Sequence, residues 1–81
     1  MKILFAASAA ELFDELPQSV KRKSASCIEL LVRQPRLYPI RRRGLMHGYR
    51  YFVAGRYLFY YSLNSEEVRI TAIIPAAMRL A

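Results

Sequence analysis

The stretch RRRGLMHGYRYFVAGRYLFYY, residues 41–61, decides how this chain folds. It interleaves arginines with aromatic residues and holds all three glycines of the protein. Tyr49, Tyr51 and Val53 alternate with Arg50 and Phe52, the period of a strand with two unlike faces. Ala54-Gly55 then makes a tight reversal, and residues 56–63 continue as a second strand rich in aromatics. Beyond it, residues 64–67 read as a turn and residues 68–74 as a third strand, closed by Pro75. A meander with basic and aromatic faces is therefore expected over the second half of the chain.

Upstream the period changes. Pro35 and Pro39 end helical structure and hold Arg36, Tyr38 and residues 41–43 in an extended connector. Before them, Val20, Ser24, Cys27, Ile28 and Leu31 follow 3.6-residue spacing, which predicts a helix over residues 17–33 packed on a sheet. Lys21, Arg22 and Lys23 cannot all share that face. Leu16-Pro17 reads as a sharp joint, because proline cannot donate into a preceding helix but suits the first turn of the next. Ser8 and Glu11 have capping-box spacing, which predicts a short helix over residues 9–16. Phe13 and Leu30 fall on the flanks of their helices. Residues 2–6 alternate weakly and read as a first strand.

The expected order is thus βααβββ: one domain over residues 1–81, an α+β architecture with an antiparallel sheet covered on one face by a helical hairpin. A chain of 81 residues buries only about 60% of its unfolded surface, so stability is expected to be modest. The 54% hydrophobic content is that of a folded globule rather than a basic tail.

Charge gives the sign of the partner. Thirteen Lys and Arg against six Asp and Glu leave a net charge of +7, which favours nucleic acid, anionic lipid or an acidic protein. One cysteine, Cys27, and one histidine, His47, supply neither an internal disulfide nor a zinc ligand set, so no metal or cofactor is expected. The start MKILFAASAA mimics a secretory signal, but its apolar part is short and stops at Glu11, so it reads as part of the domain. No uncharged stretch approaches the roughly 18 residues that cross a bilayer. A cytoplasmic protein with no membrane partner is expected.

The run GYRYFVAGRYLFYY, followed by EEVRITAIIPAAMR, resembles the core signature of the RelE/ParE toxins of type II toxin–antitoxin systems. That signature is a G-x-R strand, a glycine hairpin, a strand ending in two aromatic or apolar-aromatic residues, and a final E-V-x-I strand; the segment AAELFDELPQSVKRK is consistent with it. The resemblance covers most of the chain and implies a compact βααβββ fold, a small cognate antitoxin as partner, and growth arrest when that antitoxin is lost. It implies one of two targets: mRNA on the ribosome, cut by the RelE-like members, or DNA gyrase, poisoned by the ParE-like members.

The ribosome-dependent nucleases use an arginine on the strand before the glycine hairpin, and here that position falls on Phe52 or Val53. A second arginine after the last strand could be Arg79. If this chain were a nuclease, its cast would be His47, Arg50, Arg56 and Arg79, with Tyr60 as a possible proton donor. Strand alternation puts Arg50 with Phe52, and a paired register would bring Arg56 and Tyr60 to the same face. The departures from pattern favour the ParE-like branch, with Arg41, Arg42, Arg43, Arg50, Arg56 and Arg79 gripping the target and Phe13 and Leu30 docking an antitoxin helix. A nucleic-acid-binding module without catalysis is the remaining alternative, with Tyr49, Tyr51, Tyr57, Phe59, Tyr60 and Tyr61 available to stack on unpaired bases.

Overall fold

The computed structural model describes residues 1–78. Strand β1 (Lys2–Phe5) leads into helices α1 (Ala7–Glu15) and α2 (Gln18–Arg33), and a connector then delivers strands β2 (Arg50–Ala54), β3 (Tyr57–Leu63) and β4 (Glu67–Pro75). The fold is α+β, and the four strands lie in the order β1-β4-β3-β2.

The sheet is mixed, which corrects the expectation of an antiparallel one. β2–β3 and β3–β4 are antiparallel, but β1 runs parallel to β4, with Ile3 opposite Val68 and Phe5 opposite Ile70. The cause is topological. The helical hairpin and the connector return the chain so that β2 starts in the direction of β1, and two hairpin reversals leave β4 parallel to both.

Both helices pack on one face. The core joins Ala9 and Leu16 of the first helical segment and Val20 and Leu31 of the second to Phe52, Ala54, Phe59, Tyr61, Val68, Ile70 and Ile73 of the sheet, with Cys27 and Ile28 packed against it. The α2 face read from 3.6-residue spacing is therefore the buried one. On β4, Ile70 and Ile73 both reach this core although they are three apart. A register shift makes this possible, since Tyr60 pairs with Ala72 but Tyr61 with Ile70, leaving Thr71 as the extra residue of a bulge.

The helix starts differ from the spacing. α1 begins at Ala7 with Ala6 as its N-cap and no side-chain cap bond, so Ser8 sits inside the first turn and the expected capping box does not form. The strand itself sets this start: the Ala6 N–H donates to the Ile70 carbonyl at 2.9 Å, and the Ala6 carbonyl already accepts from Ala10. Pro17 is the N-cap of α2 rather than its first residue, and its carbonyl accepts from Val20 and Lys21 at 3.0 and 3.1 Å. Leu16 and Pro17 are both extended, the joint that proline enforces.

The turns follow their chemistry. Gly55 and Arg56 link β2 to β3, and Gly55 alone has positive φ, at +62°, the pattern of a II′ hairpin. At the other end of β3, the Asn64 side chain accepts from the backbone N–H groups of Glu66 and Glu67, both at 2.8 Å, in a local turn that starts β4.

Candidate nucleic-acid interface

The connector does not hang free beside the sheet. Ile40 bridges Arg50 in antiparallel fashion, the Tyr51 N–H donates to the Pro39 carbonyl at 3.1 Å, and the Arg41 N–H donates to the Tyr49 carbonyl at 2.7 Å. The start of the β2 edge is thus covered by its own approach segment. A return bond from the Gly48 N–H to the Arg41 carbonyl, at 2.8 Å, closes residues 42–47 into a loop, and Gly48 takes φ +91° to make that closure. Arg42, Arg43, Leu45 and His47 are exposed on it, Leu45 at 82%.

Beside this loop lies a cleft of about 340 Å³ lined by Ile40, Arg41, Arg42, Arg43 and Tyr51. Arg41 is half-buried and braces the loop, its Nε donating to the Arg43 carbonyl at 3.2 Å. Arg42 and Arg43 make no ion pair among the described residues, where Arg69–Glu67 at 3.5 Å is the pair present. Adjacent like charges give this side of the cleft a positive potential.

Tyr51 and Val53 lie on the far face of the sheet, away from the helices, and so does Tyr60, paired with Tyr51 across the strands. This corrects the register that put Tyr60 with Arg50. The Tyr60 ring packs 5.8 Å from that of Tyr51 and is fully buried, and its hydroxyl has no hydrogen-bond partner among the described residues. A buried unpartnered hydroxyl costs about 1–3 kcal/mol. Of the two positions where a nuclease arginine was sought, Phe52 is stacked on Phe59 in the core at 4.8 Å, whereas Val53 is 54% exposed.

Arg50 has a different task. Its Nη1 donates to the carbonyls of Tyr38, at 2.7 Å, and Arg36, at 3.3 Å, fastening the connector to the sheet. Tyr61 works beside it: fully buried, it donates its hydroxyl to the Pro35 carbonyl at 3.0 Å, and burial pushes its pKa up to about 12, with Arg50 pulling the other way. The Tyr38 hydroxyl points at the Cys27 carbonyl at 3.5 Å and is likewise raised to about 12, first by burial and then by Cys27. Both phenols stay protonated donors at neutral pH. Nothing in the sequence pattern marked this latch, because its acceptors lie in irregular backbone.

Arg50→Met keeps the stem of the side chain and removes the donors. Stability is expected to fall by about 1.5 kcal/mol, the low end for bonds to a charged group because Arg50 is half-exposed. The check is a urea titration, with a lower midpoint at unchanged slope. An unchanged midpoint would return Arg50 to the set of free, target-gripping arginines.

The remaining residues are dispersed. Arg56 is exposed in the β2–β3 turn, at the end of β2 opposite to the arginine loop and roughly 17 Å from it by strand rise. His47 is exposed within that loop. Phe13 is half-buried, packed on Phe5 at 5.2 Å with the Lys21 ammonium 5.9 Å from its ring, whereas Leu30 is 49% exposed on α2. Arg79 lies outside the described residues. Among the described residues no cluster of His, Cys, Asp or Glu is placed to hold a metal ion, and no helix is long and apolar enough to cross a membrane.

No protein-family model and no curated protein matches the chain.

Proposed function

We propose that this chain is the toxin of a type II toxin–antitoxin module, nearer the ParE-like branch, acting in the cytoplasm by binding DNA gyrase rather than by hydrolysis. The toxin reading rests on the resemblance in GYRYFVAGRYLFYY and EEVRITAIIPAAMR, segments that fall on β2, β3 and β4. A cognate antitoxin is its expected partner.

Dispersal of the candidate catalytic side chains supports binding over cleavage. Attack by a ribose 2′-OH requires a base, a phosphate-stabilising cation and an acid within hydrogen-bond reach of one phosphate. Here Arg50 is committed to backbone carbonyls, Arg56 sits at the far end of β2 from His47, and Tyr60 is buried on the face opposite Arg50.

The test adds purified protein to gyrase supercoiling and cleavage assays, and in parallel to a translation reaction with mRNA ends mapped by primer extension. Gyrase-dependent DNA breaks without mRNA cuts are expected. Codon-phased cuts that require ribosomes would replace this reading with the RelE-like endonuclease. Neither effect from folded protein would leave a nucleic-acid-binding module.

A further inference from the structure

We infer that the cleft between the arginine loop and Tyr51 is a binding site for single-stranded nucleic acid, taking a backbone phosphate on Arg42 and Arg43 and a base against Tyr51. This goes beyond the toxin reading and does not depend on it, since it concerns what the protein holds by itself.

Three observations point the same way. The cleft, of about 340 Å³, has room for about one nucleotide at the low end of ligand-pocket sizes, and cations and an aromatic ring share its lining. The ring is held in place: Tyr51 is half-exposed, pairs with Tyr60 across the strands, and rests on a Tyr60 ring that is itself fully buried. Such a supported ring is a stacking platform, worth roughly 1–3 kcal/mol per base in single-strand binders. The cations are held too, because the loop carrying them is closed by the Arg41–Tyr49 and Gly48–Arg41 backbone bonds.

Single strands are favoured over duplex by the aromatic ring in the lining. Bases in a duplex are already stacked and paired, so a duplex can offer this site only phosphates, and Tyr51 would go unused. An unpaired nucleotide can place its phosphate on the loop and turn its base onto the ring. Arg42 and Arg43, without an acid partner among the described residues, gain a counter-charge in doing so.

The experiment measures binding of fluorescein-labelled dT10, and of the same strand annealed to dA10, by anisotropy at several salt concentrations. The wild-type protein is expected to prefer the single strand, with log K falling against log salt at a slope of about −1.4 for two phosphate contacts. The double variant Arg42→Ser/Arg43→Ser is expected to lose at least tenfold in affinity and most of that slope. Tyr51→Leu should weaken the single strand by roughly 5- to 150-fold, the range set by one stacked base, while leaving duplex binding unchanged.

Arg22→Ser/Lys23→Ser on α2, across the sheet from Tyr51, removes the same charge and is the control expected to retain binding. Equal losses in this control and in the loop variant would overturn the proposal in favour of diffuse attraction to a basic protein. Equal affinity for duplex and single strand would also overturn it. Amide shifts of wild-type protein titrated with dT4 give a readout free of any folding defect. They are expected at residues 41–43 and 51, and shifts centred on α2 instead would sink the site.

Discussion

Phe59→Ala is expected to remove about 3–5 kcal/mol of stability, the cost of emptying a large aromatic site in a core. The ring is fully buried at the centre of β3, stacked on Phe52 with planes 14° apart, and Ile73 stands opposite it on β4. Strands on both sides lose packing at once, so collapse around the cavity cannot be local. A domain of this length holds roughly 4–12 kcal/mol in all. The variant should therefore unfold with a midpoint well below that of the wild type, or be largely unfolded at 37 °C, as followed by far-UV circular dichroism in urea. Val53→Ala provides the contrast, since Val53 is 54% exposed on the same hairpin and should change stability by no more than about 0.5 kcal/mol. A loss below about 1 kcal/mol at Phe59 would place its ring outside the core.

The contrast between Phe52 and Val53 was legible in the sequence, because period-two alternation sorts neighbours onto opposite faces before any contact is known, whereas the face of Phe59 was not, since the register that set Tyr60 beside Arg50 turns Phe59 the other way. The apolar face of α2 was legible for the same kind of reason. Strand direction was not, since alternation reads the same in parallel and antiparallel sheets, and only the length and path of the connector turn β4 parallel to β1. Alternation also fails across a bulge: Ile70 and Ile73 of β4 share the core face although they are three apart, because Tyr60 pairs with Ala72 but Tyr61 with Ile70. That extra residue, Thr71, is invisible in the spacing of β4 alone.

Local spacing misled at Ser8 and Glu11, where the backbone bond from Ala6 to Ile70 fixes the helix start before any side chain can cap it. The arginines divide in a way no charge count reveals. Arg50 is spent on the Tyr38 and Arg36 carbonyls, 12 and 14 residues away in sequence, whereas Arg42 and Arg43 line the cleft. The cleft itself exists because Ile40 bridges Arg50 and brings the basic run back alongside β2, a pairing that Pro39 gave no reason to expect.

Gly55→Ala is expected to cost about 2–5 kcal/mol, through two separable terms. Gly55 has φ +62°, and holding an L-residue in the left-handed region costs roughly 1–2 kcal/mol. An added Cβ would also come 2.9 Å from Val20 Cγ2, a side chain buried against the hairpin, and such overpacking adds about 1–3 kcal/mol. Val20→Ala removes the obstructing methyl groups. In that background Gly55→Ala should cost only the backbone part, so the two substitutions will be non-additive in a double-mutant cycle.

Strict additivity would mean that α2 does not rest on the turn. The consequence reaches beyond stability, since the same turn carries Arg56, whose carbonyl accepts from the Ala76 N–H at 2.7 Å. Displacing Gly55 should loosen the segment after β4 together with the hairpin tip. Hydrogen exchange at Ala76 should therefore accelerate in Gly55→Ala and recover in part when Val20 is also alanine.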